Sequence, residues 1–244
     1  MFSFTVCQKC LRIIKKVHIT LKKPHWYLPG FEPATLCIGT IPFIEPLVTR
    51  PFVLAYFTFE SEVRPILRGG PLLGEYIFEQ MHFHWSVDDF SGCEHLLDGQ
   101  GYAAECHFVH YNSKYESMEA AVGHPDGLAV VGFLLEAVDI PNPRFDRLVE
   151  GFEMIKKSEH SVRVTSESLS WMDSDDLQEG NYVTYKGSLT TPPYTECVTW
   201  IIYEKPVQIG TEQVRVTRII RKIWPKNITL MYYPTAAKKG GLCV

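Results

Sequence analysis

At 244 residues, with 45% hydrophobic and 21% charged side chains, the chain has ordinary globular composition and enough length to bury a substantial core. Its formal net charge of −4 gives no electrostatic reason to expect nucleic acid or an acidic membrane surface as a partner. No run of eighteen apolar residues occurs, so no membrane-spanning helix and no membrane partner are expected.

Residues 1–50 read as a divergent, irregular segment, interrupted by Pro24, Pro29, Gly30, Pro33, Gly39, Pro42 and Pro46. Up to Phe31 there is no Asp or Glu, while Lys9, Arg12, Lys15, Lys16, Lys22 and Lys23 are all basic. That start keeps a mitochondrial targeting segment open, although serine is sparse and the continuous apolar run of a secretory signal is lacking. The periodic elements fall in residues 51–244. Strands are expected at 52–59, 76–85, 102–111, 128–136 and 196–204, with turns at Gly69-Gly70-Pro71 and Gly123-His124-Pro125-Asp126-Gly127. A helix is expected over 143–157, where Phe145, Leu148, Phe152 and Ile155 recur at helical spacing and Lys156-Lys157 suits the C-terminus. A second, short helix is expected to begin near Thr211.

Three histidines carry the chemistry. His82 and His84 are two residues apart in an expected strand and so share one face, about 6.5–7 Å apart along it. His107, in the next strand, supplies a third imidazole. Three nitrogens leave the fourth tetrahedral position of a zinc ion open, the arrangement of a catalytic site, where bound water ionises near neutral pH. Gln80 and Glu105 each precede a histidine by two residues on the same face. From there an amide oxygen or a carboxylate accepts the second ring N–H, fixing the tautomer and raising ligand basicity. A lone histidine is more often a satisfied core residue; this combination favours metal.

Six motifs occur in order: Gln80-Met81-His82-Phe83-His84-Trp85, Glu94-His95, the run from Tyr102 to Asn112, Pro125-Asp126-Gly127-Leu128-Ala129-Val130, Gly187-Ser188-Leu189-Thr190-Thr191-Pro192-Pro193, and Glu196-Cys197-Val198-Thr199-Trp200. Together they resemble the catalytic core of the α-class carbonic anhydrases, from about residue 57 to about residue 214. The resemblance implies a mainly β (α+β) single domain, a large twisted and mostly antiparallel sheet with short peripheral helices, here incomplete in its N- and C-terminal segments. It implies a zinc lyase, a carbonate dehydratase that reversibly hydrates carbon dioxide to bicarbonate and a proton. By matched position, His82, His84 and His107 are the implied Zn2+ ligands, with Gln80 and Glu105 as their hydrogen-bond partners. Thr190 is expected to accept a hydrogen bond from the zinc-bound hydroxide and to donate its own proton to Glu94. Thr191 is expected to bind bicarbonate, and Val109, Val130, Leu189, Val198 and Trp200 to form the apolar wall for carbon dioxide. By the bland reading those five are ordinary core. Inhibition by aromatic sulfonamides and an esterase side activity follow from the same resemblance.

The sequence also departs from the family. Its fast members carry a shuttle histidine at the cavity mouth, but none occurs here between His25 and His82. Proton export works best through a group with a pKa near 7, so slow turnover is expected. Tyr194 stands where extracellular members often carry a paired cysteine. The seven cysteines are scattered, with Cys106 and Cys197 in apolar strands, which favours a reduced, cytoplasmic protein; a monomer is expected. His95, His110, His124 and His160 are expected to be structural or surface residues, His95 facing away from Glu94 if that stretch is extended. After Val214 the chain reads Arg215-Val216-Thr217-Arg218-Ile219-Ile220-Arg221 in place of the family's closing segment. Two other readings stand beside the enzyme: a catalytically silent, carbonic-anhydrase-like binding module, and an incompletely folded truncated product. Silencing usually removes a ligand, and all three are present; a cooperative thermal transition stabilised by zinc separates the other.

Overall fold

The computed structural model describes residues 17–21, 55–59, 64–158, 161–172, 181–191 and 193–223. Among these residues ten strands form one sheet. They are β1 (Val17–Leu21), β2 (Ala55–Phe59), β3 (Ile66–Arg68), β4 (Glu75–Trp85), β5 (Ala104–Asn112), β6 (Leu128–Val138), β7 (Ser161–Val164), β8 (Tyr182–Gly187), β9 (Val198–Tyr203) and β10 (Val207–Gly210). The main path runs β7-β1-β2-β4-β5-β6-β9-β8, with β3 paired to β4 and β10 to β6. Pairing is antiparallel except that β6 lies parallel to β9 and β10. The expected sheet is therefore present, and it is mixed at β6. Among the described residues three α-helices border it: α1 (Met118–Val122), α2 (Asp146–Ser158) and α3 (Thr211–Ile223).

Side-chain alternation gives the sheet two differently used faces. One buries Cys106 and Phe108 of β5, Val131 and Phe133 of β6 and Ile201 and Tyr203 of β9 against Phe145, Leu148, Phe152 and Trp171. Phe152 of α2 inserts between Phe83 and Trp85, with ring centroids 6.0 and 6.2 Å away. The other face carries Val109, Val130, Val198 and Trp200 in a second apolar cluster that packs against Ala121 of α1.

Strand β4 changes sides along its length. The register with β5 shifts between Phe78 and Gln80, a bulge that leaves Glu79 unpaired. Before it, Tyr76 and Phe78 point into the main core; after it, Met81, Phe83 and Trp85 do. Gln80, His82 and His84 are thereby turned onto the opposite face, beside Glu105 and His107 of β5.

The expected strands are found with shifted ends. The strand placed at 196–204 starts only at Val198, because Cys197 N–H is committed to a turn onto Thr195 O at 2.9 Å. The helix placed at 143–157 opens as a 3-10 turn, Pro143–Phe145, capped by the Asn142 side chain on Arg144 N–H, before α2 begins. The short helix near Thr211 is longer than expected at 13 residues. Within residues 1–50, expected to be irregular, β1 is a strand paired with β2 and β7; its apolar-polar alternation Val-His-Ile-Thr-Leu is too brief to stand out among lysines. The rest of that segment, and the tail beyond Ile223, lie outside the described residues.

Candidate metal centre

Strand pairing brings the histidines together. His82 and His107 are direct neighbours across β4 and β5, and His84 pairs with Glu105. His82 Nε2 lies 3.1 Å from His84 Nε2, which lies 3.2 Å from His107 Nδ1. Tetrahedral zinc with bonds of about 2.0–2.1 Å sets its nitrogens about 3.3 Å apart, so this spacing fits. The outer hydrogen bonds decide the tautomers. His82 Nδ1 is 2.9 Å from Gln80 Oε1, and His107 Nε2 is 2.6 Å from Glu105 Oε1. Those oxygens only accept, so both protons sit on the outer nitrogens and the inner ones present lone pairs. Burial, and then the neighbouring histidines, push His82 and His84 well below the usual histidine range, so both rings are neutral. Converging lone pairs on neutral imidazoles fit a cation.

Glu94 faces the same space. Its Oε2 lies 3.4 Å from His84 Nε2 and 3.9 Å from His107 Nδ1, and it is a buried acceptor with no hydrogen-bond partner among the described residues. Burial pushes its carboxyl up to about 7, with Glu105 adding to the shift and His107 and the Thr190 hydroxyl opposing it. The Thr190 side chain is hydrogen-bonded to this carboxylate. The turn that carries it is closed by Leu189 N–H to Thr195 O at 3.0 Å and Tyr194 N–H to Thr191 O at 2.9 Å, with Tyr194 at a positive φ of 57°.

Glu105 is fully buried and saturated. Its Oε2 accepts the backbone N–H of Glu94 and of His95, each at 2.8 Å; its Oε1 accepts from His107 and from His95 Nδ1, the latter at 2.5 Å. Burial opposes its charge, but His95 and His107 outweigh that and hold it well below the usual carboxylate range. The loop before β5 makes this possible. Gly92 N–H bonds Tyr102 O at 2.9 Å, and a Cβ on Gly92 would stand 1.9 Å from Ala103 O, so only glycine lets the loop close so tightly. Arg218 of α3 holds its other end, donating to Ser86 O, Asp88 O and Asp89 Oδ1 at 3.0, 2.7 and 2.5 Å.

Glu94-His95 is a bend and not an extended pair, so the condition under which His95 would face away is not met. Both side chains enter the centre. His95 Nε2 lies 2.6 Å from the Tyr185 hydroxyl. Sequence reasoning missed both His95 and Tyr185; the Glu94-His95 dipeptide was the available signal, but the alternation rule holds only for extended backbone. His95, Glu105 and His107 also form a group within metal-ligand reach, which their hydrogen bonds account for. His110 is buried with Nδ1 on Phe108 O, His124 stacks on Tyr115, and His160 lies outside the described residues.

Val109, Val130, Val198 and Trp200 lie in the second apolar cluster, with Leu189 packed against it. The Trp200 ring is 4.8 Å from both His107 and His95. Thr191 is half-buried beside Thr190. Cys93, Cys106 and Cys197 are free thiols; burial pushes Cys93 up to about 11 and holds Cys106 well above the usual thiol range, so neither offers a thiolate ligand at neutral pH. No helix among the described residues is long and apolar enough to cross a membrane.

Comparison with known proteins accords with this geometry. The chain is 39% identical over 155 residues to carbonic anhydrase 3 of Sus scrofa, an alignment covering 64% of this chain and 58% of that protein. It is 39% identical over 162 residues to carbonic anhydrase 7 of Mus musculus, covering 65% and 59% respectively. The chain thus spans somewhat under two thirds of these relatives' length. The family model of the eukaryotic-type carbonic anhydrases matches residues 54–230, a range that extends past Val214 through α3. With that match spanning most of the chain, and three histidines converging on one face of its sheet, the protein belongs to the eukaryotic-type carbonic anhydrase family.

Proposed function

We propose that this chain binds Zn2+ through His82 Nε2, His84 Nε2 and His107 Nδ1 and catalyses the reversible hydration of carbon dioxide to bicarbonate and a proton. The observation that carries this reading is the convergence of these nitrogens, with Gln80 and Glu105 assigning the protons of two rings to the far side. Held by these three nitrogens, Zn2+ would supply the Lewis acidity that brings the pKa of a water in the centre down toward neutral.

The chain's own groups do the rest. Thr190 O–H donates a hydrogen bond to the Glu94 carboxylate, which leaves the Thr190 oxygen to accept a hydrogen bond from the reacting oxygen. That bond turns a lone pair of the reacting oxygen toward the substrate carbon and rejects anions that have no proton to donate. Val109, Val130, Leu189, Val198 and Trp200 give carbon dioxide an apolar surface, where an uncharged linear molecule displaces weakly held water. Thr191 hydrogen-bonds the product. Aromatic sulfonamides, whose ionised nitrogen still carries a hydrogen, satisfy the same Thr190 requirement and inhibit. Free thiols at Cys93, Cys106 and Cys197 support a reducing, cytoplasmic setting, and the protein acts as a monomer on a small-molecule substrate.

Stopped-flow measurement of carbon dioxide hydration by zinc-loaded protein tests the proposal. Activity is expected in the parent and absent in His107→Ala. A folded, zinc-loaded parent without activity refutes it.

A further inference from the structure

Each carbon dioxide hydrated consumes one water and yields one bicarbonate and one proton, and that proton must leave the centre before the next turnover. The metal-bearing face of the sheet offers it two directions. Toward β5, β6 and β9 the face is walled by Val109, Val130, Val198 and Trp200, an apolar surface that gives a charge no polar partner. Toward β2 and β1 the face is polar. Tyr56 pairs with His82 and Phe57 with Met81, so Thr58 falls level with Gln80. On β1, Thr20 pairs with Tyr56 and His18 with Thr58. Residues directly opposed across a strand pair share a face, so this register places His18, Thr20, Tyr56 and Thr58 on the face that carries His82 and His84.

The far edge of β1 leads to the same assignment. Val17 pairs with Val164 of β7, and Val164 packs against the main core. Val17, Ile19 and Leu21 therefore belong to the core face, on which α2 lies against β1, and His18 and Thr20 to the metal face. Two strand spacings of about 4.8 Å and two residues of about 3.4 Å put the His18 backbone about 12 Å from that of His82. A short chain of hydrogen-bonded waters spans such a gap. Few groups on this polar side can take up a proton near neutral pH. A tyrosine or threonine hydroxyl ordinarily keeps its own, and Arg163, which β7 sets beside His18, is always cationic. Glu79, at the bulge, is paired with Arg64. Imidazole is the side chain whose ordinary range lies near neutral, and His18 supplies one.

We propose that His18 accepts the proton released in the metal centre and passes it to solvent. Its neutral imidazole takes the proton through water onto a ring lone pair, becomes imidazolium, and returns to neutral by giving the proton to a buffer base. No bond other than N–H forms or breaks at His18. The proposal rests on the zinc and hydration reading of the centre. A route through several waters is slower than transfer to a directly bonded base, so added imidazole still raises turnover in the parent.

NMR of the full chain loaded with Co2+, against a Zn2+-loaded diamagnetic control, tests the placement. The ring-proton resonances that disappear in His18→Gln should be shifted and broadened by Co2+, as protons within about 12 Å of the ion are. Stopped-flow hydration tests the role. In His18→Gln, kcat should fall about tenfold while kcat/KM stays within about twofold, because the proton leaves after bicarbonate has formed. The step in the pH profile of kcat near an imidazole's ordinary pKa of about 6.5 should vanish with it. Adding Thr20→His to His18→Gln sets an imidazole on the same face beside Tyr56 and should restore both readouts. Ring protons of His18 untouched by Co2+, or a parental kcat and pH profile in His18→Gln, would overturn the proposal. A parent that binds metal but hydrates no carbon dioxide refutes the hydration reading instead, and the Co2+ spectra still decide whether His18 faces the centre.

Discussion

Glu105→Gln changes almost no volume, yet it should disable the centre. Four N–H groups point at this side chain, two from the backbone of Glu94 and His95 and two from the rings of His95 and His107. Glutamine offers one acceptor oxygen and one NH2. With the oxygen toward the backbone, the NH2 meets two imidazole N–H groups that lie 2.5 and 2.6 Å from the present oxygen; the opposite orientation sets it against the backbone pair. Each buried donor left without an acceptor costs about 1–3 kcal/mol, so two cost about 2–6 kcal/mol. At about 2–4 °C per kcal/mol for a chain of this size, the metal-free melting temperature should fall by about 4–24 °C. His107 can relieve its share by moving its proton to Nδ1, but Nδ1 is the atom that faces His84 Nε2. Relief therefore removes a lone pair from the centre, and zinc affinity should drop by at least the upper part of the 10–100-fold range for a lost outer partner. Thermal melts with and without zinc, together with chelator competition, measure both effects. A variant that binds zinc within about threefold of the parent would refute the tautomer assignment.

Thr190→Val keeps shape but removes the hydroxyl bonded to Glu94; kcat/KM for carbon dioxide hydration should fall about 100-fold, whereas a change within about twofold would remove Thr190 from the mechanism. With no histidine between His25 and His82, turnover should be limited by proton export and rise when imidazole buffers are added; unchanged turnover in imidazole would contradict this. Burial lowers His110 from 6.5 to about 4. The unfolded chain therefore binds a proton below about 6.5 that the folded chain refuses until about 4, so stability is unaffected above that window and falls by about 3 kcal/mol on descending through it. Denaturant titrations of metal-free parent and His110→Gln across this range should show a flatter profile in the variant. Phe152→Ala, which empties the space between Phe83 and Trp85, should cost about 3–5 kcal/mol in denaturant unfolding; a loss below about 1 kcal/mol would mean α2 is not docked as described.

Long periodic runs were legible in the sequence because burial writes itself there. Strands β4, β5 and β6 were found within a few residues, and Phe145, Leu148 and Phe152 marked the buried side of the helical segment. Strand β8 was not found, because its side chains are exposed on both faces and leave no alternation to read. β3 and β10 are too short to carry a period. In the site, the His-x-His spacing was readable, since alternation follows from backbone geometry alone. The inward turn of His95 was not: it depends on two backbone N–H groups closing on a carboxylate about ten residues away. Tyr185 was further out of reach, ninety residues from its partner on an edge strand that gave no pattern.

The bulge at Glu79 has a consequence for how this protein tolerates change. Glu79 itself meets Arg64 near solvent, so its identity is open to substitution. The same holds for the backbone length it contributes, because Phe78 and Gln80 already face successive β5 residues, His110 and Val109. Removing that one residue would put the two halves of β4 into one regular alternation, with Tyr76, Phe78, Met81, Phe83 and Trp85 still on the core face and Gln80, His82 and His84 still opposite. Variation here should therefore extend from side-chain replacement to a one-codon deletion of Glu79, which should spare both the fold and the metal centre.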